Sequence, residues 1–175
     1  MRAPIPDDGP EAQAAFWCHF AKTADIDEHA ANQPQWQLRY QQLSSGNFQG
    51  EVRHVQLPGM RLVHETSSTA AHQQGQLGSG NFGFAMALDM PGEAIFNGQR
   101  LHADSVMLGR ADDLDLRTPS RFGMIAVVVS HDILEPLWQH MYQKPCPAWL
   151  DSQIVVRASP ASAAAVRELH LSALA

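Results

Sequence analysis

Two adjacent side chains, His64 and Glu65, have the types that a metal or acid–base site requires. A zincin-type metal site needs a second histidine three residues after the glutamate, and Ser68 occupies that position. None of the nine histidines forms a His-x-His pair, the spacing through which small β-barrels usually bind a metal. The sequence therefore predicts no metal ligand within one motif, and a site assembled from distant histidines stays open.

A glycine pattern at 78–83 matches G-x-G-x-x-G, the phosphate-binding pattern of dinucleotide sites. Such a loop must open a helix whose N-terminus holds the pyrophosphate, whereas residues 82–89 alternate as a strand. The chain also lacks a G-x-S-x-G elbow, and Cys18 and Cys146 provide neither a disulfide framework nor a four-cysteine zinc site. We therefore expect no catalytic residue and no cofactor.

A polar pair, Arg53 and His64, stands near the ends of two predicted strands that are joined by a Pro-Gly dipeptide. A two-residue connection pairs Leu57 with Met60, Val55 with Leu62, and Arg53 with His64. This face begins apolar and ends polar, which fits a barrel wall whose Arg53 and His64 reach a ligand at the mouth. An exposed pair at a strand end is the alternative.

The register of this hairpin stays open, because Pro-Gly favours a type II turn that matches hairpin twist poorly. A slip by one residue exchanges the two faces of a strand. The slipped hairpin would direct His54 and Glu65 inward instead. Arg53 inside suggests an anionic ligand group, whereas Glu65 inside suggests a cationic one.

The strand at 82–89 has one bulky face and one small face. The bulky face carries Phe82, Phe84, Met86 and Leu88, and the small face carries Gly83, Ala85 and Ala87. On a barrel this pattern suits a crowded or ligand-lined interior. We therefore add Phe82, Phe84 and Met86 to the predicted ligand-binding residues, and packing of the core is the alternative.

The elements that position these residues divide the chain into four segments. Residues 1–10 carry three prolines and indicate an arm, and 11–35 are expected to be a helical segment. Between 36 and 130, short alternating runs separated by Gly, Pro, Asn and Asp predict many antiparallel strands. Residues 131–175 have helical periodicity. We expect mainly β structure with flanking helices, an α+β class.

Two C-terminal helices are expected, one capped by Ser130 and one beginning at Ser159-Pro160. Their apolar stripes are Leu134, Leu137, Trp138 and Met141 in the first, and Val166, Leu169 and Leu174 in the second. These stripes either form a dimer or pack on the strands. The ending at Ala175, without a glycine cap or a polar tail, favours a chain cut from a longer protein.

Composition narrows the class of function. The chain has 175 residues, 45% of them hydrophobic, and a formal charge of −6. This acidic balance and the 12 scattered Lys and Arg residues argue against direct nucleic-acid binding. No apolar run is long enough to cross a membrane, and the N-terminus has no secretory pattern. We expect a soluble, cytoplasmic, single-domain protein.

Four segments carry a further signal. They are YQQLSSGNFQG at 40–50, LPGMRLVHE at 57–65, FNG at 96–98 and DLDLRTP at 113–119. With these segments, the region from about Trp36 to Trp138 resembles the N-terminal sensor half of AraC/XylS-type transcription regulators, and most closely the subset related to the ethanolamine-operon regulator.

The resemblance implies a cupin-like antiparallel β-barrel or jelly roll that binds a small effector, followed by dimerisation helices. In that family a domain with two helix-turn-helix units then binds DNA, and we expect that domain to be absent from this chain. We therefore expect a non-catalytic effector-sensing domain that forms a homodimer. The alternatives are a small cupin-type metalloenzyme and a dimerisation module without a ligand.

Overall fold

Two antiparallel sheets form the body of the protein in a computed structural model that describes residues 16–33, 36–110 and 114–174. The strands are β1 (Trp17–Thr23), β2 (Gln37–Gln42), β3 (Gly50–Leu57), β4 (Met60–Ser67), β5 (Ala71–Gln76), β6 (Asn81–Asp89), β7 (Ile95–Phe96), β8 (Gln99–Arg100), β9 (Ser105–Gly109), β10 (Leu114–Thr118), β11 (Phe122–Ser130) and β12 (Val155–Arg157). The helices are α1 (Ile26–Ala31), α2 (His131–Tyr142), α3 (Trp149–Ser152) and α4 (Pro160–Ala173). The predicted β-rich α+β class is confirmed.

The larger sheet has seven strands in the order β1-β3-β4-β11-β6-β9-β12, and the smaller has five in the order β2-β5-β10-β7-β8. The strands thus form two sheets, as in a jelly roll, and the described pairings do not close them into one continuous barrel. The main core lies between the sheets, where Phe96 and Leu116 of the smaller one meet Met107 and Met124 of the larger one.

The middle of the larger sheet is covered on both faces. Its central strand β11 is buried along almost its whole length, because one face meets the interior and the other meets α4. On the outer face, Met86 of β6 and Ile125 of β11 pack with Ala163 of α4. A strand buried on both faces has a continuous apolar run instead of alternation.

Helix α4 starts as predicted, with Ser159 as N-cap and Pro160 in the first turn. It packs on the sheet through Ala163, Arg167, His170 and Leu174. The Arg167 side chain donates hydrogen bonds to the carbonyl oxygens of Ala87 and Ala103. His170 Nε2 lies 2.9 Å from the carbonyl oxygen of Val63. Of the predicted stripe, Leu174 is buried against the sheet, whereas Val166 and Leu169 are exposed and do not pack on the strands.

The N-terminal segment differs from the predicted helix. Residues Trp17–Thr23 form β1, an edge strand that pairs with β3, and only Ile26–Ala31 are helical. Asp25 caps α1 by accepting hydrogen bonds from the amides of Asp27 and Glu28. The residues between 16 and 23 alternate between exposed and less exposed, a period of two that fits a strand and not a helix. The predicted arm at 1–10 lies outside the described residues.

The C-terminal region holds two elements that the sequence did not predict, the short helix α3 and the strand β12. Strand β12 pairs with β9 at the edge of the larger sheet, and Arg157 forms an ion pair with Asp104. Helix α2 begins after Ser130, as expected. None of the helices in the described ranges is long and apolar enough to cross a membrane.

Gly75 is expected to be the glycine least tolerant of substitution. Its φ is +154°, and a Cβ there would collide with the carbonyl oxygen of Gln37 on the paired strand β2. We predict that Gly75→Ala lowers the free energy of unfolding by about 3 kcal/mol, because strain and lost pairing add. Urea unfolding measures the change.

The matched control for Gly75→Ala is Gly98→Ala. Gly98 has a φ of +78° but open space around the added methyl group, so its cost is about 1 kcal/mol from backbone strain alone. Equal losses in the two variants would show that the β2–β5 contact is not decisive.

Candidate ligand-binding site

The β3–β4 hairpin has the register that a two-residue connection predicts. Leu57 lies opposite Met60, Val55 opposite Leu62, and Arg53 opposite His64. The register is confirmed, but the face was wrong. Buried positions alternate along the other face, which places His54 and Glu65 in the interior without any slip.

Arg53 and His64 lie on the outer face of the larger sheet, not at the interior as predicted. Arg53 Nη1 donates a hydrogen bond to the carbonyl oxygen of Leu174 at 2.8 Å, and its guanidinium lies 5.3 Å from the Phe20 ring. Burial, with the nearby charge of Arg53, lowers the pKa of His64 below its usual 6.5. These two side chains support the end of α4.

The bulky face of β6 is also on the outside. Phe82 lies 5.0 Å from the His131 ring at the start of α2, and stacks on Phe84. Met86 packs against α4. The prediction that these three residues line the interior was therefore wrong, and the physical reason is that helices cover the outer face and require large apolar side chains there.

Glu65 is the predicted site residue that the structure places inside. Its side chain is 3% exposed and accepts hydrogen bonds from several elements. The partners of Oε1 are His29 Nε2 at 3.1 Å, Tyr40 OH at 3.0 Å and Gln73 Nε2 at 3.2 Å, and Gln33 Nε2 contacts Oε2 at 3.0 Å. A buried carboxylate is tolerated when donors surround it in this way.

The donors around Glu65 connect distant parts of the chain. His29 belongs to α1 and contacts Thr23 Oγ1 through its Nδ1 at 3.0 Å, while Tyr40 and Gln73 come from β2 and β5. Burial, reinforced by the carboxylate of Glu65, raises the pKa of Tyr40 well above 10. The phenol therefore remains a hydrogen-bond donor, and the network joins α1 and both sheets.

A small cavity lies beside Glu65, between the two sheets. Its volume is about 40 Å³, and apart from Glu65 and Gln73 its described lining is apolar. On β6, β9 and β11 the lining includes four small residues, Gly83, Ala85, Gly109 and Ala126, beside the larger Met107, Met124 and Val128. The small face of β6 thus leaves the space that the bulky face would have filled.

A surface cleft of about 210 Å³ lies at one end of the sandwich, next to this cavity. Trp36, Leu77 and Val128 line both spaces and form the boundary between them. The remaining described lining of the cleft is Gln56, Gly59, Met60, Arg61, Gly78, Ser79, Asn81 and Ser130. The cleft is therefore a polar entrance and the cavity is an apolar chamber behind it.

Arg61 is a buried cation in the wall of the cleft, 4% exposed. Its Nε donates a hydrogen bond to Gln56 Oε1 at 2.8 Å. The guanidinium carbon lies 5.2 Å from the Trp17 ring and 5.6 Å from the Trp36 ring. Stacking between two indoles fixes the direction of the side chain while it keeps its charge.

His54 is fully buried next to the same indoles, with ring centroids 6.3 Å from Trp17 and 5.9 Å from Trp36. Neither ring nitrogen has a hydrogen-bond partner among the described residues. Burial first, and then the charge of Arg61, lowers the pKa of His54 to about 3. His54 is therefore a neutral, buried polar group at physiological pH.

Sequence reasoning missed most of the groups that surround Glu65 and Arg61. They belong to separate elements and follow no motif spacing, so no local pattern marks them. Among the described residues, no group of three or more His, Cys, Asp or Glu side chains is arranged so that it could hold a metal ion.

Comparison with known proteins adds little to this geometry. No family model matches the chain. Among solved structures, the EutQ protein of Clostridium difficile is similar with a TM-score of 0.35 and 12% sequence identity, over 65% of this chain and 96% of that one. The function of this chain is therefore argued from its own residues.

Proposed function

We propose that this chain is a non-catalytic domain that senses a small molecule and forms a homodimer. The observation that carries the sensing role is the cleft beside Arg61 with an apolar cavity directly behind it. Typical ligand pockets are apolar spaces with a few placed polar groups. Arg61 and Gln56 at the entrance, and Gln73 and Glu65 at the inner end, are polar groups of this kind.

The size of the site limits the ligand. Pockets for drug-sized ligands usually measure about 300–1,000 Å³, whereas the cleft measures about 210 Å³ and the cavity about 40 Å³. The ligand is therefore a small metabolite. It acts by population shift, since a ligand that fits one arrangement of the two sheets better stabilises that arrangement.

Filling the cavity is expected to abolish ligand binding. Ala126→Val adds two methyl groups to a buried wall of the cavity, which removes space without introducing a polar group. In a thermal-shift screen against small metabolites, we expect at least one compound class to raise the Tm of the unmodified protein and not that of Ala126→Val.

The control for this screen is Ala148→Val, the same substitution at an exposed position directly before α3. It should respond to ligand as the unmodified protein does. The sensing proposal is wrong if no compound class raises the Tm, or if Ala126→Val responds like the control.

The dimerisation role rests on the exposed face of α4. Leu169 is 73% exposed and Val166 is 48% exposed, one turn apart, and the only charged residue among the exposed positions of α4 is Glu168. Alanines at 161, 164 and 165 permit close approach of a second helix. A second copy fits this face, because two identical helices related by a two-fold axis bury the same side chains.

A charge on this face is expected to break the dimer. We predict that Leu169→Glu is monomeric by light scattering at micromolar concentration, whereas the unmodified protein is dimeric. Glu168→Leu is the control and keeps the dimer. A monomeric unmodified protein would contradict this part of the proposal.

We also propose that this domain is the sensor half of an AraC/XylS-type regulator. The support is the sequence resemblance between about Trp36 and Trp138, together with an acidic charge of −6 that requires another domain to contact DNA. The reading frame after Ala175 tests this directly. A helix-turn-helix pair there supports the proposal, and an immediate stop codon contradicts it.

A further inference from the structure

We infer that a row of apolar side chains on the outer face of the larger sheet receives helix α4 of a second copy of this chain. This inference rests on the proposed dimerisation and specifies the surface that receives the partner. The composition of the row, its distance from α4 and its length support it.

The apolar row crosses five strands of the larger sheet in register. The opposed pairs are Cys18 with Val55, Val55 with Leu62, Leu62 with Val127, and Val127 with Phe84. Directly opposed residues of paired strands share one face. All five side chains are apolar, since a free cysteine packs as a small hydrophobe, and none of them is fully buried.

The neighbouring row, two residues along each strand, lies under α4. It contains Arg53, His64, Ile125 and Met86 in register. Ile125 and Met86 are buried against Ala163 near the start of α4, and Arg53 donates a hydrogen bond to the carbonyl oxygen of Leu174 at its end. Helix α4 therefore follows this neighbouring row across the sheet, and the apolar row runs parallel to the helix.

A groove of about 640 Å³ exposes the part of the apolar row on β1, β3 and β4. Its described apolar lining is Phe16, Cys18, Phe20, Val55, Leu57, Leu62, Ala173 and Leu174. Phe16 is 68% exposed and Phe20 is 50% exposed. A continuous exposed apolar surface of this kind marks an interaction site, and β1 also has an edge with backbone groups that no described strand pairs.

The flank of α4 that faces the groove is apolar as well. Ala173 lines the groove, and Leu169 and Val166 precede it by four and seven residues, which is the spacing of one helix face. These are the exposed residues that the proposed dimer buries. The apolar row and this flank of α4 thus form the two walls of one corner.

The spacing of this corner suits a helix. Packed helices lie about 8–10 Å apart, and a strand rises about 3.3 Å per residue. A helix packed against the flank of α4 therefore lies about three residues along β3 and β4 from Arg53 and His64. That distance places it over Val55 and Leu62 and at the edge of the next pair, Leu57 and Met60.

The length of the row fits α4 itself. Five strands at about 4.8 Å span about 19 Å, and the 14 residues of α4 span about 21 Å. A two-fold axis parallel to α4 places the second helix beside the first, with the second sheet on the opposite side. Each α4 then lies on the apolar row of the other copy, so the interface is self-complementary.

The area that a stable dimer needs also favours this arrangement. A specific interface buries about 800 Å² per partner through some 20–30 residues. The flank of α4 offers Val166, Leu169 and Ala173, which is too few residues for that area. Contact of α4 with the partner's sheet, made twice by symmetry, supplies the remainder.

A charge in the apolar row is expected to break the dimer. We predict that Val55→Glu raises the dimer Kd about thirtyfold or more, because the partner's helix would bury the carboxylate. The control is Leu137→Glu, at an apolar position of α2 that is 50% exposed, and it should remain dimeric. Light scattering over a concentration series measures both, and circular dichroism shows whether they are folded.

A cysteine pair tests the contact even if Val55→Glu does not fold. Ser172 is exposed and lies on the opposite side of α4 from His170 and Leu174, so it cannot reach Val55 of its own chain. The two-fold axis keeps positions along the helix, which brings Ser172 onto β3 of the second copy. The variant Val55→Cys with Ser172→Cys, with Cys18 and Cys146 replaced by serine, should form a covalent dimer on mild oxidation.

The outcomes separate this contact from dimerisation itself. If Leu169→Glu is monomeric while Val55→Glu dimerises like the unmodified protein and the cysteine pair does not cross-link, the dimer stands and the inference is wrong. If Ser172→Cys alone cross-links on non-reducing electrophoresis, the helices meet through their outer sides and the inference is also wrong. If the unmodified protein is monomeric, the proposed dimerisation is wrong together with it.

Discussion

Replacing Glu65 with alanine is expected to lower the free energy of unfolding by about 4 kcal/mol and the Tm by about 10 °C. The carboxylate accepts hydrogen bonds from four buried side chains: His29, Gln33, Tyr40 and Gln73. Without it, these donors keep their burial and lose their acceptor, and each buried donor left unsatisfied costs about 1–3 kcal/mol. Relaxation and water entry recover part of the sum.

Glu65→Ala should weaken the structure most in the elements that the network joins to the larger sheet. His29 holds α1 and Tyr40 holds β2 against the larger sheet, so hydrogen exchange should accelerate in these two elements first. Glu65→Gln retains one acceptor oxygen, so its free energy of unfolding should fall less than that of Glu65→Ala.

The matched control is Glu51→Ala on the neighbouring strand. Glu51 forms an exposed ion pair with Lys22, and such a pair contributes less than about 1 kcal/mol. Urea unfolding of the three variants measures the differences. If Glu65→Ala and Glu51→Ala lose the same free energy, the buried network does not stabilise the fold.

The second large effect is acid destabilisation through His54. Its pKa is about 3 in the folded protein, against an ordinary value of 6.5. The unfolded chain therefore binds a proton between these pH values and the folded chain does not, so stability is full above about pH 6.5 and falls as the pH is lowered toward 3. The loss from this group alone is about 4 kcal/mol.

The charged and titratable groups that face His54 also lower its pKa, whereas the backbone of Asn32 acts against them. Arg61 and the imidazoles of His19 and His29 oppose a positive charge on it. His64 and His170 also have lowered pKa values because of burial, so they add to the loss below pH 6.5.

His54→Leu should remove the part of the acid destabilisation that comes from His54 and retain the part that comes from His64 and His170. Because both ring nitrogens lack partners among the described residues, the apolar substitution should also keep or raise stability at pH 7. Urea unfolding of both proteins at pH 7 and pH 4.5 measures the effect. An equal loss of stability on acidification in the two proteins would contradict the assignment to His54.

The β-rich class could be predicted because turn residues separate short alternating runs between 36 and 130. The register of the β3–β4 hairpin followed from the length of its connection. Which face of the hairpin points inward could not be read from β3, because Val52 on one face and Val55 and Leu57 on the other are similarly apolar. The outer face of β3 is only half-buried, yet it also carries apolar side chains, so the residue types do not distinguish the two faces there.

One sequence signal could have resolved the face. The apolar run at 124–129 indicates a strand buried on both sides, and the C-terminal helices are the elements available to cover the outside. With Met86 and Ile125 assigned to that side, the register places Glu65 inside. The donors around Glu65 could not be predicted, because α1, β2 and β5 bring them together only in three dimensions.

The central claim is that a small ligand occupies the space between the two sheets. Methyl-selective NMR of alanine-labelled protein tests it most directly, with the compound that gives the largest Tm shift in the metabolite screen. The account predicts chemical-shift changes at Ala85 and Ala126, which line the cavity, and none at Ala148, which is exposed directly before α3. Changes confined to surface alanines, or no changes with any compound, would contradict it.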